Sequence, residues 1–175
     1  MAIETVRAKL DEARSFLAEM RDQEQRAFGD KEEKFHKALS GFLGAGRSAV
    51  YRLEKMANYE TWREAWNAQN PSKDSCLKRI HDKRDTDVHE GGSGPIVRLK
   101  QVKVGVGGSY SHKSGTLESW GTPSPLIDVD TEATIYVPQH FFDIDGTERP
   151  VTEVCAEYLT ALEQMVAQYE ADTSH

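Results

Sequence analysis

The chain has 175 residues, of which 38% are hydrophobic and 29% charged, a composition typical of one soluble domain that can bury a core. Its formal net charge of −7 argues against a protein that binds nucleic acid over its whole surface. No apolar run approaches the roughly 20 residues that span a bilayer, and the first residues lack the basic and apolar layout of a signal peptide. We therefore expect a cytoplasmic protein without a membrane partner.

The first half of the chain shows helical spacing of apolar residues. This spacing predicts one helix over about residues 3–28 and a longer one over about residues 31–57. Gly29 and Asp30 separate them, and Asp30 with Glu33 matches a capping box. The expected apolar stripe of the second helix consists of Phe35, Leu39, Phe42, Ala45 or Gly46, Ala49, Leu53 and Met56.

Three glycines, Gly41, Gly44 and Gly46, fall inside the second predicted helix. Each costs roughly 1 kcal/mol relative to alanine in a helix interior, so we expect the close approach of another helix backbone to offset the cost. A glycine-rich phosphate loop is the functional alternative, but no strand precedes it and the spacing fits neither standard pattern. Arg47, which follows directly, is either a surface arginine or a phosphate-binding cation that faces the same groove as Arg84.

Two further helices are predicted before the pattern changes. The first, over residues 59–69, places Trp62 and Trp66 four positions apart on one face, as core anchors or, alternatively, as base-stacking platforms. The next begins at residues 70–72 and runs to about His89. Its apolar stripe reads Leu77, Ile80, Arg84 and Val88. Arg84 thus falls on the face that otherwise points into the core, where a charge seldom lies without a partner or a function.

The remaining chain combines β patterns with one more helix. After a glycine-rich break over residues 90–95, we expect a strand from about residue 96, a turn-rich loop over residues 107–125 and a second strand over residues 131–142. Pro138 interrupts that strand, so its end should be an edge or a bend. Asp145-Gly146 is a turn signal. A final helix should run from Val151 to about residue 170, with the stripe Val154, Tyr158, Leu162, Met165 and Tyr169.

This order predicts a mainly α fold. We expect an antiparallel helical bundle of about five helices, with a small β-hairpin insertion at about residues 96–142 before the last helix. Residues 1–175 should form a single domain. The cysteines, Cys76 and Cys155, lack metal or redox spacing, so two free thiols are the simplest interpretation, with a disulfide as the alternative.

The segment Arg84-Asp85-Thr86-Asp87-Val88-His89 carries the strongest chemical signal of the chain. A guanidinium can hold a phosphate through two parallel hydrogen bonds, and an imidazole suits proton transfer near neutral pH. On a straight α-helix, however, five positions turn about 500°, which leaves Arg84 and His89 about 140° apart around the axis. The two side chains can act together only if the helix ends or distorts between them, or if a second copy of the chain completes the site.

Two further interpretations concern the surroundings of this segment. His81, Asp85 and His89 share a face at spacings of four, which resembles a zinc-binding stripe but also fits simple ion pairing, and we expect no metal. Residues 71–103 contain eight Lys or Arg against five acids, a net charge of +3. This excess, which includes Lys83, is either a solvated helix face followed by a lysine-protected edge strand or a patch that attracts phosphate.

Together these features resemble the HEPN superfamily (higher eukaryote and prokaryote nucleotide-binding). The resemblance rests on Arg84 and His89 with four residues between them, on the polar Asp85, and on the helix order over residues 31–89 with the closing helix. In the long helix it is carried by the stretch from Phe35 to Ser48, followed by the Trp62 and Trp66 helix, and in the last helix by Glu157-Tyr158-Leu159.

The resemblance implies a metal-independent endoribonuclease, often a toxin, that acts as a homodimer with both motifs facing one cleft. Arg84 would hold the scissile phosphate, His89 would act as acid or base, and Asp85 would orient the pair. Arg47 and Lys83 are the candidate phosphate-binding residues. We expect no cofactor, an RNA or nucleotide ligand, and an antitoxin-like partner. The alternative is a noncatalytic HEPN-like module that binds a nucleotide or a protein.

Overall fold

The computed structural model describes residues 3–25, 31–89, 95–105 and 132–173, with the side chains of residues 25, 31, 81–89, 100–105 and 132–136 outside the description. Within these ranges the chain forms five helices and three strands. They are α1 (Ile3–Gln25), α2 (Lys31–Glu54), α3 (Tyr59–Gln69), α4 (Pro71–His89), β1 (Ile96–Gly105), β2 (Glu132–Ile144), β3 (Thr147–Pro150) and α5 (Val151–Thr173). The predicted mainly α fold with a small β insertion before the last helix is confirmed. The expected break at residues 29–30 and loop at residues 107–125 lie outside the described residues.

The core forms where α1, α2 and α5 pack together. α1 lies along α2, and α5 contacts α1, α2, α4 and the strands β2 and β3. The predicted stripe of α5 is buried throughout, and that of α2 is buried except for the half-buried Met56. The largest fully buried side chains include Tyr158, Phe35 and Phe42. None of the described helices is long and apolar enough to cross a bilayer.

The second helix ends at Glu54, three residues before the predicted end. A tight turn follows, in which the Met56 amide donates to the Leu53 carbonyl at 3.0 Å. Asn58 then adopts a left-handed conformation with φ of 60° and directly precedes α3. Asparagine is among the few residues other than glycine that accept this conformation readily, which explains why the chain reverses here.

Two of the three helical glycines in α2 lie against aromatic side chains. A Cβ atom at Gly41 would lie 2.6 Å from the Phe16 ring of α1, and one at Gly46 would lie 2.7 Å from the Tyr158 ring of α5. Nothing lies within 4 Å of such an atom at Gly44. The expectation of a close helix backbone was therefore wrong in its detail, because the neighbours at Gly41 and Gly46 are ring edges and Gly44 has none.

This contrast gives opposite stability effects for one substitution at two positions. Gly44→Ala should stabilise the protein by about 1 kcal/mol, since alanine is the better helix former and the added methyl meets open space. Gly46→Ala should destabilise it by about 1–3 kcal/mol, because the fully buried Tyr158 ring must shift to admit the methyl. Urea denaturation of both variants measures the difference. Equal effects of the two substitutions would contradict the packing described for Gly46.

The three strands form an antiparallel sheet in the order β1-β2-β3. β2 and β3 are joined by the predicted turn, in which Asp145 and Gly146 have φ of 53° and 80°. Two successive positive φ angles favour an Asp-Gly pair in a two-residue hairpin. The Gly146 amide donates to the Asp143 Oδ1 atom at 2.8 Å, which further fixes this connection.

Pro138 lies inside β2, opposite Leu99 of β1, at a position that is locally an edge, as the proline predicts. The reason is the short length of β3, which pairs only with residues 141–144 of β2. Beside Pro138, β2 therefore has one neighbouring strand within the described sheet, and the position is locally an edge. Proline is tolerated at such an edge because no ladder hydrogen bond is lost on the open side.

Trp62 and Trp66 join α3 to the end of α5. Trp66 is buried, and the half-buried Trp62 contacts the Tyr169 ring edge-on, with a centroid distance of 5.0 Å. The indole Nε1 of Trp62 donates to the Asp172 Oδ2 atom at 2.9 Å. These contacts support the interpretation of both tryptophans as core anchors rather than as base-stacking platforms.

Candidate functional site

The Arg84 to His89 segment forms the last part of α4, which is described from Pro71 to His89. Leu77 and Ile80 are 3% and 2% exposed, which confirms that the predicted stripe of α4 faces the core up to Ile80. Arg84 comes four positions later on the same stripe. The side chains of Arg84, Asp85, His89 and Lys83 lie outside the described residues, so the structure gives their place along the backbone.

The backbone of α4 is helical without a break from Arg84 to His89. A continuous helix keeps these two positions about 140° apart around its axis. The first of the two routes to a joint site, a helix end between the two residues, is therefore absent from this segment. Within one chain the two positions therefore lie on different faces of α4.

Arg47 lies in the middle of α2 and its side chain is half-buried. Its neighbour Gly46 packs against Tyr158 of α5, so Arg47 belongs to the helix face adjoining that contact. α2 also contacts α4, the helix that carries the other candidate residues. The helices that carry Arg47 and Arg84 are thus in contact, while the Arg84 side chain lies outside the described residues.

A shielded ion pair fixes the start of α4 to α3. The Arg63 Nη2 atom lies 2.8 Å from the Asp74 Oδ1 atom, and both side chains are less than a fifth exposed. Lys78 Nζ contacts the second carboxylate oxygen of Asp74 at 2.7 Å. The Arg63 guanidinium also lies over the Trp66 ring, 4.8 Å from its centroid. These contacts tie the first two turns of α4 to α3.

A groove of about 500 Å³ runs between α4 and α5. Its α4 wall consists of Ser72, Lys73, Cys76 and Arg79, and its α5 wall of Ala156, Glu157, Thr160, Ala161 and Gln164. Sequence reasoning missed this groove, because its lining depends on how two helices far apart in the chain pack together. The positive charge noted over residues 71–103 was the available signal, and two of its cations lie here.

The acid in this groove is already neutralised by a neighbouring arginine. Arg149 donates two hydrogen bonds to Glu157, at 3.0 and 2.7 Å, and this contact lowers the pKa of the Glu157 carboxyl. Burial, followed by the charge of Glu157, raises the pKa of the half-buried Cys76 thiol. Cys76 is therefore present as a neutral thiol at neutral pH.

Neither cysteine forms a disulfide; both are free thiols. Cys155 is fully buried in α5, and burial raises the pKa of its thiol far above the usual range, as expected of a packed side chain. Among the described residues, no group of three or more His, Cys, Asp or Glu side chains is placed to hold a metal ion. The His81, Asp85 and His89 stripe lies outside the described side chains.

His140 of β2 is a buried titratable residue that sequence reasoning missed. Its ring stacks on Phe35 of α2 with a centroid distance of 3.7 Å and an interplanar angle of 7°. The side chain is 2% exposed, and neither ring nitrogen has a hydrogen-bond partner among the described residues. Burial, assisted by the nearby His36, lowers the pKa of His140 to about 4, while Glu32 opposes the shift. The ring is therefore neutral at physiological pH.

No family model, curated protein or solved structure shows a significant match to this chain.

Proposed function

We propose that this protein is a metal-independent endoribonuclease of HEPN type that acts in the cytoplasm as a homodimer. Arg84 and His89 are the catalytic residues, Asp85 orients them, and Arg47 and Lys83 assist in binding phosphate. An antitoxin-like partner would restrain such an activity.

The observation that carries the proposal is the unbroken run of α4 to its end at His89. Arg84 continues a stripe whose preceding members, Leu77 and Ile80, are buried, while His89 lies at the helix terminus. In a homodimer, His89 of one chain can approach Arg84 of the other, so the two residues can act together across the interface. The mainly helical bundle around α4 is consistent with the superfamily that the sequence resembles.

The proposed chemistry needs few groups. The 2′-hydroxyl oxygen of a ribose attacks the adjacent phosphorus, the bond from phosphorus to the 5′-oxygen breaks, and a 2′,3′-cyclic phosphate and a 5′-hydroxyl form. Arg84 stabilises the negative charge that develops on the phosphate oxygens. His89 accepts the proton of the attacking hydroxyl, or donates one to the leaving oxygen.

A noncatalytic module that binds a nucleotide or a protein is the second candidate. The formal net charge of −7 favours it, since nonspecific RNA binding depends on neutralising phosphates with surface cations. In that case Arg84 would be a structural cation paired with an internal acid. RNA that binds but stays intact would identify this function.

The decisive experiment incubates the purified protein with total RNA in the presence of a chelator. The proposed activity gives fragments with 2′,3′-cyclic phosphate and 5′-hydroxyl ends, and the chelator leaves the rate unchanged. Intact RNA, or cleavage that stops when divalent ions are removed, would contradict the proposal.

A further inference from the structure

The groove between α4 and α5 is distinct from the Arg84 and His89 segment. Its α4 residues lie in the first half of the helix, and the last of them, Arg79, precedes Arg84 by five positions, or about 8 Å of helix length. Its volume of about 500 Å³ falls in the range typical of sites for small molecules. The described lining of the groove includes none of the proposed ribonuclease residues, so binding there can be measured separately from RNA cleavage.

The floor of the groove is largely apolar. Ala156 and Ala161 of α5 face Cys76 of α4 across it, and the neutral thiol behaves as a small apolar group. The hydroxyl of Thr160 donates to the Ala156 carbonyl at 2.9 Å, so its proton is used within the helix. An apolar ligand body would gain free energy by leaving water for this floor.

The rim of the groove carries cations whose charge is largely uncompensated. Among the described residues, Lys73 forms no ion pair, and Arg79 lies 3.7 Å from Asp145, a side chain that is 87% exposed. An ion pair so open to water contributes little, so the Arg79 guanidinium stays available. Glu157 is held by Arg149 and is also attracted by Arg79, but a single carboxylate cannot balance both arginines. The rim therefore presents net positive charge above an apolar floor.

We propose that the α4–α5 groove binds a small amphipathic oxyanion, a molecule with an apolar body and one carboxylate or phosphate group. The apolar body lies along Cys76, Ala156 and Ala161, and the anionic group lies between Lys73 and Arg79. Arginine and lysine both bind oxyanions, and arginine can do so through two parallel hydrogen bonds.

Cys76 provides a built-in reporter for this site. It lines the groove and is partly accessible, whereas Cys155 is 0% exposed. Alkylation of the native protein by N-ethylmaleimide, a neutral reagent, therefore reports Cys76. A ligand in the groove covers the thiol and slows the reaction, because only the unoccupied protein reacts.

The test combines calorimetric titration with this alkylation assay, using phenyl phosphate and benzoate as probes. At least one of them should bind and, at about ten times its Kd, slow alkylation about tenfold. The probe that binds with the lower Kd identifies the preferred anionic group. Inorganic phosphate has the charge without the apolar body, and benzyl alcohol has the body without the charge. Both should bind at least about tenfold more weakly.

Matched variants of α4 assign the effect to the groove. Lys73→Gln combined with Arg79→Gln should weaken probe binding at least about tenfold. Because loss of the Arg79 charge raises the pKa of Cys76 and slows its alkylation, protection is measured against the probe-free rate of the same variant. Lys78→Gln removes a cation of the same helix that pairs with Asp74 and does not line the groove, so binding should persist. The proposal is overturned if neither probe binds at millimolar concentration or if binding leaves Cys76 unprotected. Equal binding of the control compounds, or equal loss with Lys78→Gln, would also overturn it.

Discussion

Replacing Arg84 or His89 with alanine is expected to reduce RNA cleavage at least about 100-fold, because each change removes a group that acts on the transition state. Initial rates on a defined single-stranded RNA in the presence of a chelator measure the effect. Lys78→Ala, which removes an exposed cation of α4, should retain near-normal activity. Cleavage that persists in the Arg84→Ala and His89→Ala variants would show that the activity has another source.

Mixing the two inactive variants tests whether two chains share the site. If Arg84 of one chain acts with His89 of the other, a mixed dimer has one site with both residues intact. Random pairing of equal amounts makes half of the dimers mixed, so the mixture should recover about a quarter of the wild-type rate. A site contained within one chain gives no recovery. This result would contradict the arrangement inferred from the unbroken helix.

His140 is expected to make the folded protein sensitive to acid. Its pKa is lowered to about 4 by burial, whereas the unfolded chain has the ordinary histidine value of 6.5. As the pH falls through this interval, the unfolded chain binds a proton that the folded protein excludes, so stability is lost. Between about pH 7 and pH 4.5 the loss should be about 2–3 kcal/mol. Urea denaturation at the two pH values measures it.

The matching variant is His140→Leu, which removes the titrating ring and keeps an apolar side chain of similar size against Phe35. Between the two pH values this variant should lose about 2–3 kcal/mol less stability than the wild type. Carboxylates that titrate in the same interval contribute equally to both proteins. His36→Gln is the control, since His36 is 40% exposed at its side chain. It should keep most of the acid sensitivity. If the free energy of unfolding changes equally with pH in the wild type and in His140→Leu, burial does not lower the pKa of His140.

The helices and their order were predictable because their apolar residues repeat at the helical period. The turn at Asp145-Gly146 was also predictable, since few residue pairs adopt two positive φ angles. The strand that contains Pro138 was predicted as well, but the short length of β3, which leaves Pro138 at a local edge, was not. The glycines of α2 show the same limit. Their cost was visible in the sequence, but which of them lies against an aromatic ring depends on packing.

The candidate site was predictable only as a place along α4. The sequence placed His89 near the helix end and Arg84 four positions after Ile80 on the same stripe, and the structure adds that the helix is continuous through both positions. The groove at Lys73 and Arg79 was not predicted, because its other wall comes from α5, about eighty residues later in the chain. His140 was also missed, since a lone histidine in a strand carries no pattern that reveals burial.

The central position of α5 has a consequence for how the protein is made. During synthesis α1 and α2 can pair early because they are neighbours in the chain, but α5 emerges from the ribosome after them. Until then Gly46 has no Tyr158 ring to contact, and α1 lacks the partner that Arg14 reaches at Glu163. A nascent chain stalled before α5 would expose the apolar faces that α5 covers. Such chains should be preferred substrates for chaperones and proteases.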